Sequence, residues 1–193
     1  MKLFFVFLIS SIILFSCNNN KSKEGVDAGK KTGSNPEQMK NAVKDMEKQK
    51  EELGKLAPVS LDQLRAMAPE TLLGAARTNI EVNDAMGAGE VIADYELNDS
   101  SSATLTIIDC AGPGGAGIYS MQYLGLINIK EDNEEEFTRP VEYNGSTAFE
   151  HCDKTTNDCA FTFFAGGRFL VTLEAANVSM DALKQAAAGL NIK

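Results

Sequence analysis

Four residues in the second half of the chain have side chains that bind metals or form covalent bonds. Cys152 and Cys159 bracket a six-residue segment, His151 precedes the first of them, and Cys110 lies upstream. If two strands pair around that segment, Cys152 and Cys159 face each other with Cα atoms about 4.5 Å apart, which a disulfide can span. We therefore expect a Cys152–Cys159 bridge; the alternative is a bridge from either residue to Cys110.

The same four residues also raise the hypothesis of a zinc site. Adjacent residues of a strand point to opposite faces, so His151 and Cys152 cannot readily bind one ion. The chain has one histidine and no Cys-x-x-Cys pair, and so it lacks the parts of a thiol protease or a thioredoxin-type site. We expect no metal and no cofactor, and we expect Cys110 to be a buried, inert thiol.

A glycine-rich segment, Gly112-Pro113-Gly114-Gly115-Ala116-Gly117, matches the dinucleotide-binding pattern G-x-G-x-x-G. The strand predicted before it alternates polar and apolar residues, whereas the central strands of dinucleotide-binding folds are almost continuously apolar. We therefore interpret the segment as a flexible connection from a strand to a helix. Its glycines are our candidates for the rim of a ligand pocket: Gly112, Gly114, Gly115 and Gly117.

Acidic side chains are abundant, but their spacing forms no catalytic or calcium-binding set. Five carboxylates lie within residues 131–136, and Asp153, Asn157 and Asp158 lie close together further on. Neither run has the spacing and the central glycine of an EF-hand loop, so we interpret both as solvated acidic loops. No two carboxylates are paired by their spacing, and we name no catalytic residues.

The first residues have the pattern of an export signal. Lys2 is followed by an apolar stretch that continues, with two serines, to Phe15; it is too short to span a membrane, which takes about 20 apolar residues. Leu14-Phe15-Ser16-Cys17 resembles the lipobox of bacterial lipoproteins. This resemblance implies that residues 1–16 are removed and that Cys17 carries a diacylglycerol on its sulfur. The alternative is an ordinary signal peptide in which Cys17 is incidental.

The resemblance to lipoproteins also implies a place in the cell, the envelope, with the acyl chains holding the protein to a membrane. In lipoprotein families with a sorting rule, aspartate after the acylated cysteine retains the protein in the inner membrane, so Asn18 favours the outer membrane. Residues 17–35 are polar and read as the acylated cysteine and a disordered tether. The formal net charge of −9 at pH 7 argues against nucleic-acid binding.

One helix is predicted directly after the tether, and further helices are predicted within the domain. Residues 36–58 form an amphipathic helix with Pro36 at its first position. Its narrow, methionine-rich stripe suits either a coiled-coil seam for a partner or packing on its own domain; we favour the second. Ser60-Leu61-Asp62-Gln63 resembles a capping box that begins another helix. Two more helices are expected, one over residues 115–129 and one that begins after a cap at Asn177 or Ser179.

Residues 59–193 are predicted to form one globular α+β domain. Asn144-Gly145 and Gly166-Gly167 mark two tight hairpins, and the segments around them alternate as strands do. With the extended segments at 78–82, 89–98 and 103–110, they predict a single antiparallel sheet of about six to seven strands. We expect helices to cover one face of this sheet, with the tether and the N-terminal helix before it.

From about residue 64 onward the chain resembles a set of secreted bacterial domains of unknown role. The resemblance implies no activity and no catalytic residues. It rests on Ala68-Pro69-Glu70-Thr71-Leu72-Leu73-Gly74, Ile108-Asp109, Val141-Glu142-Tyr143-Asn144-Gly145, Arg168-Phe169-Leu170-Val171 and Val178-Ser179-Met180-Asp181-Ala182-Leu183.

Together, the anchor, the tether and the lack of a catalytic set predict a membrane-anchored envelope lipoprotein with a non-enzymatic binding domain. Its partner is expected to be another envelope protein or a small apolar ligand held between the sheet and the helices. Two alternatives belong to other classes of protein. One is a hydrolase-type envelope enzyme whose site is assembled only in the tertiary structure, and the other is a purely structural envelope protein.

Overall fold

The computed structural model of this chain describes residues 36–85, 87–127 and 131–193. In these ranges the chain forms four helices and nine strands. The helices are α1 (Pro36–Lys55), α2 (Leu61–Arg65), α3 (Gly112–Ile127) and α4 (Met180–Gly189). The strands are β1 (Thr71–Leu72), β2 (Ala75–Ala85), β3 (Ala88–Asn98), β4 (Ser101–Asp109), β5 (Glu131–Asp132), β6 (Glu136–Tyr143), β7 (Ser146–Asp153), β8 (Asp158–Ala165) and β9 (Phe169–Ala176).

The strands form one antiparallel sheet in the order β1-β2-β3-β4-β9-β8-β7-β6-β5. Two meanders, β1 to β4 and β5 to β9, therefore lie side by side and are joined through β4 and β9. These two strands pair from Ser102–Ala176 to Asp109–Phe169. Helix α3 lies between β4 and β5 in the chain, and so connects the middle of the sheet with its far edge.

The fold predicted from the sequence is wrong in two respects. The sheet has nine strands rather than six or seven, and helices contact both of its faces rather than one. Strands β1 and β5 are missing from the prediction because each has two residues, too few to show an alternation. The second error arises because the face opposite the main core also carries large apolar residues at one end.

The two hairpin turns and the capping box predicted from the sequence are present in the structure. Asn144-Gly145 have φ values of 51° and 75°, and Gly166-Gly167 have 57° and 67°, the positive values that tight hairpin turns require. The capping box at the start of α2 is also present. The Ser60 hydroxyl accepts a hydrogen bond from the Gln63 N–H at 3.2 Å, and the Gln63 side chain accepts one from the Ser60 N–H at 2.9 Å.

The main core lies between one face of the sheet and helices α2 and α4. Alternate residues of the central strands point into it, and Leu105, Phe161 and Leu173 are fully buried. Leu64 of α2 and Leu183 of α4 pack against them from the helices. The strand residues between these core positions necessarily point to the opposite face.

A second apolar cluster lies at one end of that opposite face, where α1 packs against α3. Leu53 of α1 is fully buried there, next to Tyr119 of α3. Their contacts on the sheet include Ile108, Leu170 and Phe164, and the Tyr119 and Phe164 ring centroids are 4.9 Å apart. The C-terminal end of α1 therefore packs on its own domain.

Candidate functional site

Beyond the cluster around α1 and α3, part of the second face of the sheet is accessible, and we call this surface the open face. It consists of two rows of residues that are paired across the strands, and each residue is exposed or half-buried. The first row is Asp94, Thr104, Glu174, Ala160 and His151, and the second is Ile92, Thr106, Thr172 and Thr162.

Hydroxyl and carboxylate groups dominate the centre of the open face. The Thr162 and Thr172 hydroxyl oxygens lie 3.2 Å apart on neighbouring strands. The Thr104 hydroxyl donates a hydrogen bond to Asp94 Oδ1 at 2.9 Å. The surface is therefore suited to polar contacts rather than to an apolar ligand.

A cleft of about 490 Å³ lies at one end of the open face. Three carboxylates and one imidazole border it, and its lining contains no lysine or arginine. The carboxylates belong to Asp153, Asp158 and Glu174, and the imidazole belongs to His151. Other residues that line the cleft are Ser102, Thr104, Ala160 and Ala176. Positively charged or hydrogen-bonding groups are the natural complement of such a surface.

Two of the ionisable side chains of the cleft are engaged within the protein. His151 Nδ1 lies 2.8 Å from the hydroxyl oxygen of the buried Thr138. Asp153 Oδ1 accepts hydrogen bonds from the Thr155 hydroxyl at 2.5 Å and from the Thr155 and Thr156 N–H groups. These bonds, that of the Thr155 hydroxyl first, lower the pKa of Asp153. Its carboxylate therefore shapes the turn between β7 and β8.

A disulfide joins Cys152 and Cys159 directly behind the cleft, at the two positions for which the sequence analysis expects one. The two residues are opposite each other on β7 and β8, with Cα atoms 4.1 Å apart. Both are buried in the main core, so the bridge is structural. Cys110 is a free, fully buried thiol, and burial raises its pKa to about 12, which keeps it in the unreactive protonated form.

The glycine candidates lie in the first turns of α3. A Cβ atom on Gly115 would lie 2.5 Å from the carbonyl carbon of Cys110 and 2.6 Å from the carbonyl oxygen of Asp109. Glycine is therefore needed at this position for α3 to approach the end of β4. The cleft is lined by residues other than Gly112, Gly114, Gly115 and Gly117, and their role at a ligand rim stays a prediction.

A buried ion pair fixes the end of β4. Asp109 is fully buried, and its carboxylate accepts hydrogen bonds from Arg168 Nε at 3.0 Å and from Arg168 Nη2 at 2.7 Å. It also accepts from the N–H groups of Val59 at 2.8 Å and Ala111 at 3.1 Å. Arg168 in turn donates to the Ala57 carbonyl at 2.9 Å. These four donors satisfy the carboxylate, so its role is structural.

A second buried carboxylate lies under α4. Glu150 is 1% exposed and accepts hydrogen bonds from Arg139 Nε at 2.7 Å and Lys184 Nζ at 2.8 Å. Burial alone would raise the pKa of Glu150, but the bonds and charges of Lys184 and Arg139 outweigh it and hold the pKa below its ordinary value. The hydrogen bond to Glu150 also raises the pKa of Lys184. The carboxylate thus ties α4 to the sheet.

Within residues 36–85, 87–127 and 131–193, no group of three or more histidine, cysteine, aspartate or glutamate side chains is placed to bind a metal ion. No helix in these ranges is long and apolar enough to cross a membrane. The predicted signal peptide, Cys17 and the tether lie outside the described residues.

Comparisons of the chain with known protein families, with curated proteins and with solved structures find no match. A function is therefore inferred from the sequence signals and from the geometry of the open face.

Neither the open face nor the Asp109–Arg168 pair was predicted from the sequence. Alternation in β4 does place Thr104 and Thr106 on one side of a strand, which was a usable signal. Glu174 joins them through the pairing of β4 with β9, which no local pattern reveals. The same pairing brings Arg168 to Asp109, so both features depend on topology.

Proposed function

We propose that this chain is a lipid-anchored protein of the bacterial cell envelope whose folded domain binds a partner protein at the open face without catalysing a reaction. The observation that carries the binding function is the open face itself. One face of the sheet is buried under α2 and α4, while the polar rows of the other remain accessible. The lipobox-like Leu14-Phe15-Ser16-Cys17 supports the anchor and the envelope location.

The chemistry of the described carboxylates favours binding over catalysis. Asp109 and Glu150, the two fully buried carboxylates, are each satisfied by basic partners. Asp153 is engaged in its turn, and a general acid or base needs a carboxyl group with a suitable pKa near the substrate. Two observations favour a protein partner over a small apolar ligand. The rows of the open face are mostly polar, and the space between the sheet and α2 or α4 is filled by core side chains.

The anchor is tested by labelling cells with a fatty acid that carries a detectable tag. The full chain should incorporate the label and fractionate with membranes, because acyl chains on Cys17 make the association stable. Cys17→Ser should remove both properties, and Cys110→Ser should leave them unchanged. Labelling of the Cys17→Ser chain equal to that of the unaltered chain would contradict the anchor.

The binding surface is tested by crosslinking in cells, followed by gentle extraction and native mass spectrometry of the full-length protein. We expect one adduct of discrete mass beyond the acyl anchor. Thr172→Arg, at the centre of the open face, should abolish the adduct, because a bulky cation there blocks contact. Gln185→Arg also introduces an arginine in place of a neutral polar residue, but on the exposed side of α4, and it should leave the adduct unchanged. An adduct that survives Thr172→Arg would place the partner on another surface.

A further inference from the structure

The outer edge of β2 is an unpaired strand edge. Strand β1 pairs with it only at Ala75 and Ala76, so no strand of the described chain lies beside β2 from Thr78 to Asp84. On alternate residues of such an edge, the backbone N–H and C=O groups point outward and are free to pair with another strand. This edge extends over enough residues to accept a strand of ordinary length.

The opposite edge of the sheet, formed by β6, carries a proline that hinders strand addition, whereas β2 does not. Strand β5 covers β6 only at Phe137 and Thr138, but Pro140 follows, and proline has no N–H group to donate to a further strand. The pairing of β2 with β3 is regular from Asn79 to Ala85, and this part of β2 contains no proline and no lysine. Proline and lysine, two of the usual devices that prevent strand addition, are therefore absent from this segment of β2. The irregularity in its pairing lies between Arg77 and Asn79, at the start of the segment.

The side chains along this edge alternate in chemistry. Ile80 and Val82 are half-buried and pack against the main core. Asn79 and Glu81 point to the other side, where Asn79 Nδ2 lies 3.4 Å from Glu81 Oε1 and 3.2 Å from Asp94 Oδ2. An added strand would share both faces residue by residue. It would need apolar side chains on the helix-covered side and polar side chains on the other.

The charge around the edge selects basic residues for that polar side. Glu81, Glu90, Asp94 and Glu96 lie on the same face of β2 and β3, and no ion pair among the described residues neutralises any of them. Opposite charges on neighbouring strands attract, and like charges repel. A strand that carries lysine or arginine at alternate positions is therefore the complement of this edge.

Two other occupants are disfavoured by the same chemistry. A second copy pairing β2 with β2 in antiparallel fashion would bring two strands that both carry Glu81 and Asp84 together, and like charges would face each other. The tether of this chain, residues 18–35, contains Val26 and Ala28 as its only apolar residues. It therefore lacks the alternation that the edge requires.

We propose that an extended segment of a partner polypeptide, with alternating apolar and basic residues, adds to the sheet along β2 from Thr78 to Asp84. Its apolar side chains lie beside Ile80 and Val82, and its basic side chains lie beside Glu81. Backbone hydrogen bonds supply affinity and the alternating side chains supply selectivity, as in other cases of strand addition. This edge adjoins the open face, because Asn79 pairs with Asp94 of the first row and Glu81 pairs with Ile92 of the second. The inference rests on the backbone groups of β2 and does not depend on the partner proposed for the open face.

The test uses an acetylated octapeptide of alternating lysine and valine. Fluorescence anisotropy measures its binding to the full chain, and amide hydrogen exchange locates the site. We expect slowed exchange within residues 78–84. A peptide of the same composition with four lysines followed by four valines should bind much more weakly, because its side chains cannot match both faces. The alternating peptide with N-methylated backbone nitrogens should not bind, because it cannot complete the ladder.

The variants Glu81→Lys and Glu142→Lys separate local from overall charge. Both make the same change of charge, but Glu142 lies on β6 at the opposite edge. Glu81→Lys should weaken binding of the alternating peptide by about fivefold and favour a glutamate–valine peptide instead, while Glu142→Lys should do neither. The proposal is overturned if the alternating peptide does not bind at about 1 mM, if both variants behave alike, or if the protein dimerises through β2.

Discussion

Replacing Asp109 by asparagine isolates the contribution of one buried charge. Asparagine has nearly the same shape, but it has no charge, and its NH₂ group replaces one of the two oxygens that now accept hydrogen bonds. The guanidinium of Arg168, whose side chain is 20% exposed, would lose its bidentate partner. One of the N–H groups of Val59 and Ala111 would also face a donor instead of an acceptor.

The expected loss is large because Asp109 is fully buried and the side chain of Arg168 is mostly buried. Removing one member of a buried ion pair typically costs about 3–5 kcal/mol of unfolding free energy. A domain of this size has about 5–15 kcal/mol in total, so Asp109→Asn should remove a large fraction of its stability. With about 2–4 °C per kcal/mol, the unfolding temperature should fall by about 10 °C.

Urea unfolding followed by far-ultraviolet circular dichroism measures the change, since the chain has no tryptophan. A double-mutant cycle with Arg168→Met adds the decisive comparison. The double variant should be more stable than the sum of the single losses implies, because removing Asp109 and Arg168 charges together leaves neither unpaired. A loss below about 1 kcal/mol for Asp109→Asn, or additive losses in the cycle, would refute the role assigned to this pair.

Three further predictions concern the stability of the folded domain. Folding lowers the pKa of Glu150, so this residue contributes stability above pH about 4.5 that is lost as the pH falls through its folded pKa. Glu150→Gln should therefore flatten the acid side of a plot of unfolding free energy against pH. An unchanged plot would contradict this. The double variant Cys152→Ser, Cys159→Ser should lose about 2.5 kcal/mol in urea unfolding, and dithiothreitol should then have no further effect. Gly115→Ala should lose about 1–3 kcal/mol by the same assay because its Cβ would meet backbone atoms of β4, whereas Gly117→Ala, with open space around it, serves as the control and should lose less.

The elements of this fold that have local signals could be predicted from the sequence. The turn at Asn144-Gly145 needs positive φ angles, which few residue types adopt readily, so its position is unambiguous. The two-residue strands β1 and β5 have no such signal. The contact of helices with both faces could not be predicted either, because the few large apolar residues at the end of the second face, such as Ile108 and Leu170, are interspersed with core residues in the same strands.

The candidate site was less accessible to sequence reasoning than the fold. The disulfide position follows from strand register, because Cys152 and Cys159 flank a single turn. The open face has no equivalent local cause, because Thr104 and Glu174 come from strands that are far apart in the chain. The glycine segment shows the converse problem. Its pattern matches a dinucleotide-binding motif, but the glycine at position 115 is needed so that α3 can approach the end of β4.

The pairing of β4 with β9 also has a consequence for the order of folding. Hairpins within each meander close short loops and can form early, but the seam between the meanders requires a strand near the C-terminus of the chain and so closes late. Leu105 and Leu173 are paired across this seam and fully buried. A nascent chain therefore cannot complete its main core until β9 has been synthesised, even though the hairpins of the first meander are already available.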